Sequence, residues 1–337
     1  MKLDTVLAPT ALRDVPALAR AADAIGFAGL WTAETSHDPY LPLTLAAEHS
    51  ERIELGTAIA VAFPRSPLVH AQIAWDLAAQ SNGRFILGLG TQVKGHNERR
   101  FGIAWEAPGP RLREMIVCIR AIWDCWQNGM KPHFEGRHYR FTLMTPFFDP
   151  GPIAHPQIPI WIAGVNTYML ELAGELCDGF HVHPFHSLRY LRETLLPEIG
   201  RGLARAGRSR SDIVLATSAF VIAGDTDEET ARAKEAVRMQ IAFYASTRTY
   251  ARVLAAHGWS DVSARLNEKA AKGDWSGMAR EITDEMLDVY AVTAPWDGVA
   301  AAVRARYDGI LDRVALYLPF RPGDAPERWR RIVGAFA

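Results

Sequence analysis

The sequence predicts a closed (β/α)8 barrel, a TIM barrel with loop insertions and one helical insertion between strands seven and eight. Three observations predict it. Eight short apolar runs, each about as long as a buried strand, recur through the chain. A segment with helical spacing follows most of them, the alternation expected of parallel strands joined by crossover helices. No Pro/Gly/Ser-rich linker divides the 337 residues, so they read as a single domain, 1–337.

Leu3–Leu7 is the first strand, followed by a helix over Asp14–Ile25 in which Val15, Leu18, Ala22 and Ile25 repeat at helical spacing and Gly26 ends the run. Gly29–Thr32 is the second strand and Leu41–Ser50 its helix. Ile53–Ala60 is the third, followed by a helix over Val69–Gln80. Phe85–Leu89 is the fourth. An irregular insertion over about 92–110 precedes a helix at Leu112–Trp126, and a second insertion over about 128–156 suggests a hairpin around Gly136. Pro159–Ala163 and Gly179–His183 are strands five and six, with helices Tyr168–Leu176 and Leu188–Ala206. Ile213–Ala223 is strand seven. A long helix over Asp225–Arg252, a mostly helical insertion over about 253–292 and a helix over Asp297–Arg306 lead to strand eight at Arg313–Leu318.

Composition narrows the function. Formal net charge is −1, from 37 basic and 38 acidic residues, with no basic stripe, which argues against a nucleic-acid partner. No apolar run reaches the ~18 residues of a membrane span, and the N-terminus lacks a cleavable leader, so a cytoplasmic protein is expected. Cys118, Cys125 and Cys177 form neither a disulfide framework nor a zinc motif. A small-molecule substrate is the expected partner. Apolar helix faces are compatible with a homodimer or higher homo-oligomer.

On a parallel barrel the chemistry sits where strands end. Strand two ends Glu34-Thr35-Ser36-His37-Asp38-Pro39-Tyr40, more proton-exchanging groups than a helix cap requires. Of these, His37 is the best general acid/base candidate, because free imidazole titrates near neutrality, with Glu34 and Asp38 beside it. The end of strand three, Gly56-Thr-Ala-Ile-Ala, is small enough for a flat ligand to approach the backbone. Strand four ends in glycines and then Thr91-Gln92-Val93, suited to bonding a ligand through backbone amides. Strand five ends Gly164-Val165-Asn166 and opens a helix whose free N–H groups suit phosphate, although capping explains it equally. His181 and His183 alternate on strand six, so both face one side. They read as a polar wall of the substrate pocket rather than as metal ligands, since no further ligand completes a site. Tyr40 and Phe63, with Trp105, Phe147 and Phe148, predict an apolar pocket.

Taken together, Leu55-Gly-Thr-Ala-Ile59, Asp76-Leu77, Ser81-Asn-Gly-Arg84, Gly88-Leu-Gly-Thr91, Ala21-Ala-Asp-Ala-Ile-Gly-Phe27, Pro159-Ile-Trp-Ile-Ala-Gly164 and Asp178-Gly179 resemble the bacterial luciferase-like superfamily over about residues 1–320. Glu34-Thr-Ser-His-Asp38 and Gly90-Thr-Gln-Val-Lys94 look most like its coenzyme F420-dependent oxidoreductase branch. The resemblance implies a deazaflavin, or alternatively FMN, at the C-terminal face of the barrel. It also implies a non-prolyl cis peptide at Ala58-Ile59 under the cofactor's middle ring. The implied cofactor-binding set is Thr35, Ala58, Ile59, Thr91, Gln92, Val93, Gly164, Val165 and Asn166. The implied activity is hydride transfer between coenzyme F420 and a small apolar substrate. The alternatives are an FMN-dependent monooxygenase, a non-catalytic flavin-binding protein and, from the two histidines alone, a metal-dependent hydrolase. The Asp-His pair that ends strand two in the deazaflavin-dependent sugar-phosphate dehydrogenases is here Glu34-Thr35, and the acid after their strand-four Gly-Thr-Gly is here Val93, so the resemblance does not extend to sugar-phosphate oxidation.

Overall fold

In the computed structural model, which describes residues 1–323 and 325–336, eight parallel strands close into a ring. They are β1 (Lys2–Leu7), β2 (Gly29–Thr32), β3 (Glu54–Thr57), β4 (Phe85–Gly90), β5 (Ile160–Ala163), β6 (Gly179–Val182), β7 (Val214–Ala223) and β8 (Arg313–Leu316). Each pairs in parallel with the next, and β8 returns to β1. The predicted fold class therefore stands.

Alternation along the strands separates two cores. Leu3, Leu30, Leu55, Leu87, Ile160, Phe180, Leu215 and Val314 face the helices and join the large outer core. Trp31, Ile86, Trp161 and Ala216 form a second, smaller cluster inside the barrel. The two indoles lie 5.0 Å apart, and glycine on an adjacent strand makes room for each. A Cβ at Gly56 would lie 2.4 Å from the Trp31 ring, and one at Gly179 would lie 2.4 Å from Trp161. Beneath them Arg313 donates through Nε and Nη2 to the Asp4 carboxylate, at 2.9 and 2.7 Å, and Trp31 Nε1 donates to the same group at 2.9 Å.

The helix Pro67–Gln80 starts where proline suits its first turn and where Ser66 accepts from the Val69 N–H. It packs on Pro108–Asn128, which buries Leu112, Met115, Ile119, Ile122 and Trp126 on one face. Burying such a side chain contributes about 1.5–3 kcal/mol, and this layer holds the strand ends rigid.

Several elements depart from the expectation. The third strand is not continuous. Leu55 pairs with Phe85 and Ala60 with Leu89, five steps against four, so one extra residue bulges from β3 before the short Ala60–Val61 strand resumes pairing. The long helix stops at Ala245, where Ser246 Oγ donates to the Phe243 carbonyl and Thr247 is extended; a 3-10 turn over Arg248–Tyr250 follows. The insertion ends in a strand, Ala291–Ala294, because the ten-residue β7 projects beyond the ring and offers Phe220–Ala223 as a free pairing edge. A C-terminal helix, Pro326–Gly334, buries Trp329, Ile332 and Val333 against the first helix, Val15–Ile25. The hairpin around Gly136 forms as expected, from Phe134–Glu135 and Arg140–Phe141. All three cysteines are free and buried. Among the described residues, no helix is long and apolar enough to cross a membrane.

Candidate active site

A cavity of about 440 Å³ opens at the C-terminal ends of the strands, within the ~300–1,000 Å³ usual for ligand sites. Trp31 and Asp4 form its floor. Ala33, Ala58, Ala163 and Ala315 give it small-residue walls. A larger depression, about 870 Å³, lies at the opposite end near Pro159 and Asp178. It is a surface groove crossed by the Arg120–Asp178 ion pair. On this architecture that end serves stability, so the site is the smaller cavity.

The bulge between Thr57 and Ala60 forms one wall, and the Ala58-Ile59 peptide within it is cis, as the resemblance implied. Hydrogen bonds hold the bulge on both sides. Thr57 Oγ1 donates to the Gly88 carbonyl at 2.6 Å and accepts from the Gly88 N–H at 2.9 Å. Ala58 N–H donates to the Thr32 carbonyl, and Glu34 N–H to that of Ile59. Only glycine fits opposite. A Cβ at Gly88 would lie 1.7 Å from the Thr57 oxygen, and one at Gly90 would lie 2.7 Å from the Ile59 side chain.

Glu34 does more than its backbone shows. Its carboxylate accepts from Val61 N–H at 2.7 Å and from both Arg65 Nη atoms, at 2.9 and 3.1 Å. Arg65 also donates to Asp38 at 2.7 Å, and Asp38 accepts from the Tyr40 N–H. Glu34 and Asp38 are thus brought together around one guanidinium behind the bulge. His37 is exposed and lines a small hollow that shares Ala8, Ala33 and Thr35 with the main cavity.

His181 and His183 both line the cavity, as the strand alternation required. The His181 ring meets Trp31 and Trp161 at 5.0 Å each, and its Nε2 is buried with no hydrogen-bond partner. Burial lowers its pKa to about 3. Burial, with His186 adding to it, also lowers His183 to about 3, so both rings are neutral at neutral pH. Among the described residues no three potential metal ligands converge.

Tyr40 and Phe63 are corrections. The Tyr40 ring turns into the helix layer, where its hydroxyl donates to His70 Nδ1 at 2.8 Å while His70 Nε2 donates to the Ala62 carbonyl. Phe63 is buried beneath Arg111 and beside Trp105. Phe147 and Phe148 stand exposed on a 3-10 turn. None of these lines the cavity. The aromatic walls come instead from Tyr244 and Tyr317, whose hydroxyls meet at 2.6 Å. Tyr317 directly follows a strand, which was the available signal. Tyr244 lies inside a long helix, which left none.

Of the implied cofactor set, Thr35, Ala58 and Ile59 line the cavity. The others occupy the adjacent loops after β4 and β5. Gln92 has a left-handed backbone (φ 56°), and its side chain accepts from the Val93 N–H. Asn97 ties the Thr91 and Val93 carbonyls together. Asn166 caps the helix Thr167–Leu176 by accepting from Met169 N–H. Gly164 packs where a Cβ would meet Met169 at 2.4 Å. The Val165 carbonyl accepts from Tyr190.

A family model described as luciferase-like monooxygenase matches residues 3–313. The chain is 49% identical over 303 residues to an uncharacterized protein of Mycobacterium tuberculosis, covering 88% of this chain and 89% of that one. It is 31% identical over 306 residues to a 5,10-methylenetetrahydromethanopterin reductase of Archaeoglobus fulgidus, covering 88% and 87%. Its fold matches the coenzyme F420-dependent tetrahydromethanopterin reductase of Methanopyrus kandleri with a TM-score of 0.79 at 22% identity, covering 98% and 97%.

Proposed function

The chain belongs to the luciferase-like monooxygenase family, and on that premise we propose that it moves a hydride between coenzyme F420 and a small, uncharged organic substrate. The observation that carries this reading is the cavity itself: small side chains along a bulged strand end, facing neutral imidazoles and phenols. These residues fit a flat ring system. Ala33, Ala58 and Ala163 leave room against the backbone, and Gly88 and Gly90 seat the bulge.

Bound there, coenzyme F420 supplies two-electron hydride chemistry that side chains lack. Thr35, Ala58 and Ile59 would hold its ring, and the loops Thr91–Val93 and Gly164–Asn166 its phosphate. To His37, exposed in the hollow beside the cavity, this reading gives the exchange of the proton at the substrate oxygen. Glu34 and Asp38 serve by fixing Arg65 and the bulge. The test is an anaerobic assay with coenzyme F420 and a panel of alcohols, aldehydes and enones, following the cofactor's visible absorbance. Substrate-dependent cofactor turnover supports the reading, and H37A should slow it by roughly 10²-fold or more. Unchanged turnover in H37A rejects that residue's role. Oxygen consumption with reduced FMN reassigns the protein to monooxygenation.

A further inference from the structure

His183 is held more tightly than a wall residue needs. Its ring stacks on Tyr250, 4.2 Å between centroids and 25° between planes, and meets Tyr244 edge-on at 4.6 Å. Its Nδ1 accepts from the Phe185 N–H at 3.1 Å. In a neutral imidazole that bond places the one proton on Nε2, so the ring presents a single, oriented N–H donor. The tyrosine pair beside it adds another. Tyr244 and Tyr317 share one O–H···O bond, which leaves the second hydroxyl proton without a partner in that pair. Tyr250 and Tyr244 both come from the segment between β7 and β8, so this wall is built by the part of the chain in which the fold tolerates variation.

The charge of the lining points the same way. Among the described residues no lysine or arginine lines the cavity, and the one carboxylate that does, Asp4, is already engaged by Arg313 and Trp31. An anionic substrate placed here would be desolvated without a counter-charge, which is costly. A neutral oxygen would meet a fixed donor.

We propose that His183 is a specificity-determining hydrogen-bond donor for an uncharged, oxygen-bearing substrate such as a ketone, aldehyde, enone or alcohol, and that the wall it forms with Tyr244 and Tyr317, backed by the Tyr250 ring, excludes carboxylated and phosphorylated molecules. This rests on the assignment of the cavity as the substrate site, and it deepens that reading by naming the substrate class.

The experiment measures binding of three probes to the whole protein by saturation-transfer NMR: cyclohexanone, the hydrocarbon isostere methylenecyclohexane, and 4-oxocyclohexanecarboxylate. Each is titrated against the wild type, H183F and H183Q. H183F keeps an aromatic ring for Tyr250 to stack on but removes the donor. H183Q keeps an N–H. In the wild type the ketone should bind at least tenfold more tightly than the carboxylate. H183F should weaken the ketone roughly three- to tenfold, the worth of one hydrogen bond, and leave the hydrocarbon unchanged. H183Q should recover part of that loss. The proposal is overturned if H183F shifts ketone and hydrocarbon alike, if the carboxylate binds as well as the ketone, or if the wild type fails to bind the ketone. Coenzyme F420 affinity is measured on the same three proteins. Ketone discrimination that is unchanged in H183F, with F420 binding intact, sinks the role of His183 alone. Intact discrimination in a protein that binds no F420 sinks the hydride-transfer reading alone.

Discussion

Replacing Gly88 with alanine tests how the cavity wall is built. The added Cβ would lie 1.7 Å from the Thr57 carbonyl oxygen, and real Cβ contacts essentially never fall under 3.0 Å. Thr57 must therefore retreat by at least 1.3 Å, the difference of those two distances. It is tied to Gly88 by two hydrogen bonds, of 2.6 and 2.9 Å, so the retreat breaks one or both, at about 0.5–1.5 kcal/mol each. Residual overpacking adds about 1–3 kcal/mol. The expected loss is about 1.5–6 kcal/mol. With an unfolding entropy of about 0.7 kcal/mol/K for a chain of this length, Tm should fall by roughly 2–9 °C. The neighbouring Ala58-Ile59 wall moves with Thr57, and an ångström of misplacement at such a site costs about 10²-fold in turnover. The assay is a thermal melt paired with cofactor titration of G88A. Gly200 is the control, because it sits in the helix Leu196–Arg205 with nothing within 4 Å of its added Cβ. G200A should raise stability by about 0.5–1 kcal/mol. A G88A protein that melts and binds like the wild type would refute the close packing of β4 on the bulge.

Other perturbations read other parts of the account. R313M removes two of the three donors to the buried Asp4, leaving a carboxylate short of partners, and should cost about 3–5 kcal/mol in urea unfolding; a loss under 1 kcal/mol would contradict the buried pairing. E34A strips the acceptor from Arg65 and from Val61 N–H and should cost about 1.5–3 kcal/mol while weakening cofactor binding; E34Q, which still accepts from Val61, should fall between. Burial lowers His70, His181, His183 and His186 to about 3–4, below the ~6.5 of the unfolded chain. The unfolded state therefore takes up protons first as pH falls. The stabilisation is present above pH ~6.5 and is lost toward pH 4, on the order of 1–2 kcal/mol per histidine by pH 5. Urea midpoints that stay level between pH 7 and 5 would disprove the burial of these rings.

The eight barrel strands were legible because apolar runs bounded by turns and helices are local signals. Gly29–Thr32 was read to the residue, and the inward pair His181 and His183 followed from a period of two. The bulge was not legible from composition, since Ile53–Ala60 looks like one strand; only the register against β4 reveals the extra residue. Ala291–Ala294 escaped because its pairing depends on how far β7 projects. At the site, Thr35, Ala58 and Ile59, which the family resemblance implied, line the cavity, whereas Tyr40 turns away from it, its direction set by the distant His70. The Glu34–Arg65–Asp38 cluster joins residues 27–31 positions apart, so Glu34 and Asp38 looked like free acids until Arg65 was placed between them.

The most direct test of the account is titration of the purified protein with coenzyme F420 and, separately, with FMN, read by fluorescence quenching. The account predicts saturable binding of the deazaflavin at micromolar or lower concentration, weaker binding of FMN, and loss of the F420 signal in G88A. Tighter binding of FMN, or binding of neither, would contradict the assignment of this cavity to a deazaflavin.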